Sequence, residues 1–214
     1  MNPEEMAKLP SALYEAVLID GGPENYRKWS TSYESDVKTL NYVGHRSVNE
    51  KWRRYHETSL SDDTAVKHKV FDAGCGSGLV GEDLITTISP DSVEIYGGDL
   101  SPELLEIARI KNIYADLRVV NLKEEIPYQP EYFDSIICAG VFLQGHCGPE
   151  CLPNLIRILK RGCYLIATVR KQFYEETKQE WQKQLEACSC KLLEDVEMPY
   201  HEDAKAIVIV VNKQ

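Results

Sequence analysis

The stretch VFDAGCGSGLVG, Val70 to Gly81, constrains this chain more than any other. In it an apolar run meets glycines at alternate positions, Gly74, Gly76 and Gly78, and passes directly into a helix-like segment. Residues without a Cβ tolerate positive φ and let backbone N–H groups approach a ligand closely, so such a turn between strand and helix marks the binding edge of a parallel sheet. The pattern around it agrees. Strands are predicted over KVFDAG (69–74), VEIYGGDL (93–100), LRVVNL (117–122), FDSIICAGV (133–141) and GCYLIATVR (162–170), with helical stretches between them. Ser101 is placed to cap one of those helices, with Pro102 in its first turn. A helix over 174–188 and two strands, 190–200 and 204–212, follow. The sum is an α/β fold, a Rossmann-like, seven-stranded, mostly parallel sheet flanked by helices.

Upstream, residues 10–20 read as a short helix before DGGP breaks it. Residues 26–55 are polar and aromatic-rich, and read as helical in two pieces divided near NYVGH. We therefore expect residues 1–66 to form an N-terminal helical segment and 67–214 the sheet domain, together one compact unit. At 214 residues and 43% hydrophobic, the chain can bury a core of that size.

A net charge of -10 disfavours a large phosphate-tracking surface, so no nucleic-acid partner is expected. The basic clusters KWRRYH (51–56) and LKRG (159–162) read as solvated faces. Seven cysteines lack the spacing of a zinc site or a disulfide scaffold, and HCGPEC (146–151) has no matching second half, so no metal is expected. Free thiols, the absence of a secretory or lipidation signal and the lack of a membrane-length apolar run lead to the expectation of a cytoplasmic protein with no membrane partner.

The second strand ends at Asp99, where a carboxylate can accept hydrogen bonds from both hydroxyls of a ribose. Glycine turn and distal acid together point to a nucleoside-containing ligand, and leave NAD and S-adenosylmethionine open. The G-x-G-x-G spacing departs from the G-x-G-x-x-G of dinucleotide folds. Asp72, two positions before Gly74, would repel a pyrophosphate, whereas S-adenosylmethionine carries a sulfonium and an ammonium and no phosphate. The charge argument favours S-adenosylmethionine.

VFDAGCGSGLVG, GGDLSPELLEIAR, FDSIICAGV and ILKRGCYLIATVR resemble, in order and at ordinary separations, the motifs of class I S-adenosylmethionine-dependent methyltransferases. YRKWSTSYESDV, Tyr26 to Val37, is similar to the Y-x-x-W-x-x-x-Y-x-x-D-V segment of the Williams–Beuren syndrome region methyltransferase-like proteins, as are GLVGEDL and DLSPELLEIAR. The resemblance implies that Asp72, Ala73, Gly74, Cys75, Gly76 and Gly78 belong to the wall around the methionine and ribose portions, and that Asp99 holds the ribose hydroxyls. It further implies Leu100 against the adenine, Asn121 and Leu122 near the adenine amino group, and Ala139 and Val141 as contacts to the methionine moiety. Asn121 stands where such enzymes often carry an acid. The N-terminal segment would form a helical lid, with Tyr26, Trp29 and Tyr33 over the cofactor and the aromatic faces attracting the sulfonium. The reaction would yield S-adenosylhomocysteine.

Methyl transfer is an in-line displacement, so the protein must align a nucleophile and exclude water, and needs a base only where the acceptor loses a proton. His146, after strand four, is the expected catalytic base. His45, His56, His68, His201, Tyr174 and Tyr200 rank below it. The acceptor is not written in the sequence. NPPY is absent after strand four, and with the acidic charge this points to a small molecule, a protein side chain being the next option. Two other functions remain open from the residues alone, a nucleotide-dependent oxidoreductase and a cofactor-binding protein without turnover.

Overall fold

A computed structural model describes residues 23–56, 67–201 and 204–214; the helix expected over 10–20 lies outside them. Among the described residues three helices come first, α1 (Pro23–Trp29), α2 (Tyr33–Thr39) and α3 (Gly44–His56). The sheet domain then runs β1 (His68–Ala73), α4 (Leu79–Thr87), β2 (Val93–Asp99), α5 (Pro102–Ile110), β3 (Tyr114–Val119) and β4 (Phe133–Phe142). A 3-10 turn (Pro149–Cys151) leads into α6 (Leu152–Ile158), β5 (Leu159–Arg170), α7 (Lys171–Glu176), α8 (Lys178–Ala187), β6 (Cys190–His201) and β7 (Ala204–Lys213).

The seven strands lie in the order β3-β2-β1-β4-β5-β7-β6. β1 to β5 pair in parallel, and β7 enters antiparallel between β5 and β6. This is the fold the strand pattern predicts. Alternation along the central strands builds two cores. Phe71, Ala73, Ile136, Cys138, Leu165 and Ala167 face α6 and α8, while Val70, Ile95, Ile137 and Ile166 face Val48 and Trp52 of α3 and Leu84 of α4. Trp52, fully buried, donates its indole N–H to Ser135 Oγ at 2.8 Å, which ties α3 to β4. β6 closes one edge with alternating exposed and half-buried residues, and Pro199 there offers no N–H for a further strand.

Three boundaries differ from expectation, each for a local reason. Residues 23–56 hold three helices because Ser30 and Ser32 interrupt the first expected piece. Ser30 Oγ donates to the Arg27 carbonyl at 2.8 Å and Ser32 Oγ to Asp36 at 2.7 Å, short polar side chains competing with the helical ladder. Helix 174–188 is broken at Thr177, whose hydroxyl takes the Phe173 carbonyl at 2.6 Å. β3 spans 114–119 and not 117–122. Asn121 ends it by turning the chain, its Oδ1 accepting from Lys123 N at 3.1 Å.

Order reversal in the sheet occurs at β1, flanked by β2 and β4. In open α/β sheets that point, beyond the carboxyl ends of the strands, is where ligands bind. The glycine turn lies there.

Candidate functional site

The turn after β1 is built for close approach. Gly74, Gly76 and Gly78 have φ of 72, 52 and 92°, the left-handed region where a side chain is strained. Gly74 N and Cys75 N both donate to the Gly98 carbonyl, at 2.7 and 3.1 Å, tying the turn to the end of β2. A Cβ at Gly74 would collide with the side chain of Val141. At Gly76 it would lie 3.5 Å from the Tyr33 hydroxyl, so the lid tyrosine stands directly over the turn.

Asp99 sits beside it with both carboxylate oxygens in use. Oδ2 accepts from Gly76 N and Oδ1 from Ser101 N, each at 2.8 Å. These bonds orient the carboxylate and leave each oxygen a further lone pair. Burial raises the pKa of Asp99, and the backbone donors of Ser101, Gly76 and Leu100 oppose that rise.

α1 and α2 cover this edge. Trp29 is buried at 3% exposure, packs at a tilt against Tyr33 with ring centroids 4.6 Å apart and donates to Asp36 at 2.9 Å. The Tyr26 hydroxyl meets His146 Nε2 at 3.0 Å, joining the lid to the loop after β4. Tyr26 and Tyr33 line two adjoining chambers beneath them, both open to solvent at their mouths.

The first chamber runs past Gly76, Asp99, Leu100, Asn121, Leu122, Val141 and His146. Leu100, 38% exposed, supplies a flat apolar wall. The second is aromatic, with Trp29, Tyr42, His45, Arg170, Tyr200 and His201 around it. Gly74, Ala139 and Gly140 form the wall common to both. Tyr42 and Tyr200 meet edge to face at 5.1 Å, and their hydroxyls converge on Gly140. Val43 N donates to the Tyr200 carbonyl at 2.7 Å, so the lid's exit is pinned to the end of β6.

Most residues singled out in the sequence thus line one continuous cavity: Tyr26, Trp29, Tyr33, Gly74, Cys75, Gly76, Asp99, Leu100, Asn121, Leu122, Ala139, Val141 and His146. Asp72, Ala73 and Gly78 do not. Ala73 and Asp72 are fully buried inside β1, and Gly78 serves as the left-handed entry to α4. Asn121 lines the chamber but its amide donates to Glu124 at 2.9 Å, occupied by its own turn. His146 lines the Asp99 chamber and not the aromatic one, with its Nε2 committed to Tyr26. Tyr174 is buried away from both chambers, donating to Asp195 at 2.9 Å. Sequence reasoning passed over Tyr42 and Arg170 and ranked His45, Tyr200 and His201 low. Arg170 alone carried a readable signal, its place at the carboxyl end of a parallel strand.

Asp72 lies behind the glycine turn, with Tyr114 of β3 donating to its Oδ2 at 2.7 Å and its Oδ1 without a partner. Burial pushes its pKa up to about 7, against the pull of the Tyr114 hydroxyl. A carboxyl whose folded pKa lies above its unfolded value near 3.8 binds more protons when folded, so its stabilising effect is present below about 3.8 and is lost as pH rises through 7. His56 and His68, lowered by burial, act in the opposite direction as pH falls, so the informative quantity is the difference between variant and parent. Asp72→Asn, a mimic of the protonated acid, is expected to raise the melting temperature at pH 8 by several degrees and at pH 5, part-way through the window from 3.8 to 7, by clearly less. Scanning calorimetry at the two pH values checks this, and equal effects at both would refute it.

A family model described as a methyltransferase domain matches residues 65–207, about two thirds of the chain. The chain belongs to the methyltransferase-domain family. It is an enzyme, and the family implies S-adenosylmethionine as the methyl donor. Among curated relatives the methyltransferase is 27% identical over 177 residues to human Methyltransferase-like protein 27, covering 79% of this chain and 69% of that protein. It is 34% identical over 74 residues to the Ubiquinone biosynthesis O-methyltransferase of Xylella fastidiosa, 33% of this chain but only 28% of that enzyme. Among solved structures it is similar to a chain in the complex of the Haloferax volcanii Trm112 methyltransferase activator and a methyltransferase. That match has a TM-score of 0.63, 14% identity, and covers 89% of this chain and 96% of the other. A SAM-dependent methyltransferase from Aquifex aeolicus gives a TM-score of 0.52, 19% identity, and coverage of 77% and 97%. At such identities these two show the shared class I fold alone. Among the described residues no helix of this methyltransferase is long and apolar enough to cross a membrane.

Proposed function

We propose that the methyltransferase is a member of the Williams–Beuren syndrome region methyltransferase-like group that holds S-adenosylmethionine in the Asp99 chamber and methylates a small molecule in the aromatic chamber. One observation carries this reading: the two chambers share the wall of Gly74, Ala139 and Gly140, so a donor on one side and an acceptor on the other meet there. The residues fit the cofactor. Asp99 is oriented by two backbone donors with lone pairs to spare for ribose hydroxyls, and the turn at Gly74 and Gly76 keeps open the space a Cβ would take. Leu100 offers an apolar face for adenine.

When bound, S-adenosylmethionine supplies a methyl group already activated by the sulfonium. The chain's part is positioning and exclusion of water. Tyr26, Trp29 and Tyr33 close over the cavity, and their ring faces favour positive charge beneath them. In this reading His146, expected from the sequence as the acceptor base, ties the lid to the loop after β4 through Tyr26. The chamber's enclosure by aromatic side chains favours a small acceptor over a protein surface.

Thermal unfolding with S-adenosylmethionine, S-adenosylhomocysteine or NAD tests the cofactor assignment. A ligand at about a hundred times its dissociation constant adds roughly 2.7 kcal/mol, or about 5 to 10 °C for a domain of this size. The two S-adenosyl compounds are expected to produce that shift and NAD none. Absence of a shift with all three would overturn the proposal.

A further inference from the structure

Among the described residues, the aromatic chamber is lined by a permanent charge, Arg170, that has no partner. Arg170, the last residue of β5, lines it half-buried. Among the described residues its guanidinium has no ion pair and no hydrogen bond. Its neighbours are treated differently, since Lys171 and Lys205 both pair with Glu197, at 2.5 and 2.8 Å. The chain has 34 acidic residues against 24 Lys and Arg, yet among the described residues no carboxylate pairs with this guanidinium. A partly desolvated cation without an anion costs free energy that a ligand can recover.

A second observation points the same way. His45, on the wall of the same chamber, has a buried Nδ1 with no hydrogen-bond partner, an atom that a polar group on an occupant would satisfy. Between these two groups the surface is ring and aliphatic carbon: Tyr42 lies 5.5 Å from the His45 ring and 5.1 Å from Tyr200, with Leu40 and Leu143 also lining the space. The Tyr200 hydroxyl is pushed up to about 12 by burial, with Arg170 opposing, so it stays a neutral hydrogen-bonding group.

We infer that the acceptor is a small apolar or aromatic molecule bearing a carboxylate, which Arg170 binds while Tyr42 and Tyr200 flank its body. Arg170 presents a planar fork that matches a carboxylate, and an amide of the same shape leaves it unpaired. The inference rests on the proposed function, because it needs the cofactor on the other side of Gly74 and Gly140.

The test uses the full chain saturated with S-adenosylhomocysteine and two matched probe pairs, benzoate with benzamide and 4-hydroxyphenylacetate with its amide. Binding is followed by calorimetric titration at millimolar probe. The parent is expected to bind each carboxylate at least about tenfold tighter than its amide. Arg170→Gln should abolish that preference and Arg170→Lys retain part of it, with S-adenosylhomocysteine affinity unchanged within about threefold in both. Failure of the parent to bind S-adenosylhomocysteine would remove the cofactor reading and this inference with it. Normal S-adenosylhomocysteine binding with no carboxylate preference, or with no binding of either carboxylate, would overturn this inference alone. A large loss of S-adenosylhomocysteine affinity in Arg170→Gln would overturn it too, by assigning the guanidinium to the cofactor's own carboxylate.

Discussion

Asp99→Ala is expected to weaken S-adenosylhomocysteine binding by a factor on the order of 100 or more. The carboxylate stands at the end of β2 with one lone pair per oxygen already taken by Gly76 N and Ser101 N, so the second pair on each can meet the two ribose hydroxyls. A hydrogen bond to a charged group is worth roughly 1.5 to 3 kcal/mol, so two lost together amount to about 3 to 6 kcal/mol, or two to four decades in affinity. Asp99→Asn keeps one acceptor and should fall between parent and alanine. Because burial raises this pKa, acidification should protonate Asp99 sooner than an ordinary carboxyl and weaken binding in the same direction. Titration calorimetry with circular dichroism separates lost affinity from lost structure, since the two orphaned N–H groups border an open chamber where water can reach them. An alanine variant that is folded and binds normally would remove Asp99 from the site.

Gly74→Ala should act on stability and binding together. The position carries φ of 72°, which costs a non-glycine residue about 1 to 2 kcal/mol. The new methyl would also strike the Val141 side chain across the shared wall, and overpacking of that kind costs roughly 1 to 3 kcal/mol more. A total of about 2 to 5 kcal/mol corresponds to a fall of roughly 5 to 15 °C or more in melting temperature. Adding Val141→Ala relieves the collision and leaves the backbone strain, so partial rescue in the double variant is expected. Full rescue would show that strain at φ contributes nothing, and no rescue would show that Val141 is not the obstacle.

Much of this molecule was legible in one dimension. Alternating apolar residues in 69–74, 133–141 and 162–170 gave strands whose two faces build two cores, because side-chain direction in a strand is a matter of parity. Ser101 and Pro102 set the start of α5, and the Ser101 hydroxyl accepts from Leu104 N at 3.3 Å. Errors came where apolar character and turn chemistry competed. In LRVVNL the hydrophobic run outlasts the strand, since Asn121 bends the chain with its own side chain.

Asp72 shows the limit most clearly. Its type and position argued for a site without phosphate, yet its side chain faces Tyr114, 42 residues further on. No local pattern announces that partner.

Sequence by itself determined the seven strands, the glycine turn and the acid at the end of β2, because period, turn residues and strand ends are encoded within a few neighbouring positions. Tertiary structure alone decided that Tyr26 and Tyr33 line both chambers, that His146 meets Tyr26, and that Tyr42, Arg170 and Tyr200 share a chamber. Those residues lie as far apart as 120 and 158 positions, as Tyr26 and His146 or Tyr42 and Tyr200 do. Only the folding of helices across the carboxyl edge of the sheet brings them within contact, and a side chain's role there depends on its neighbours in space.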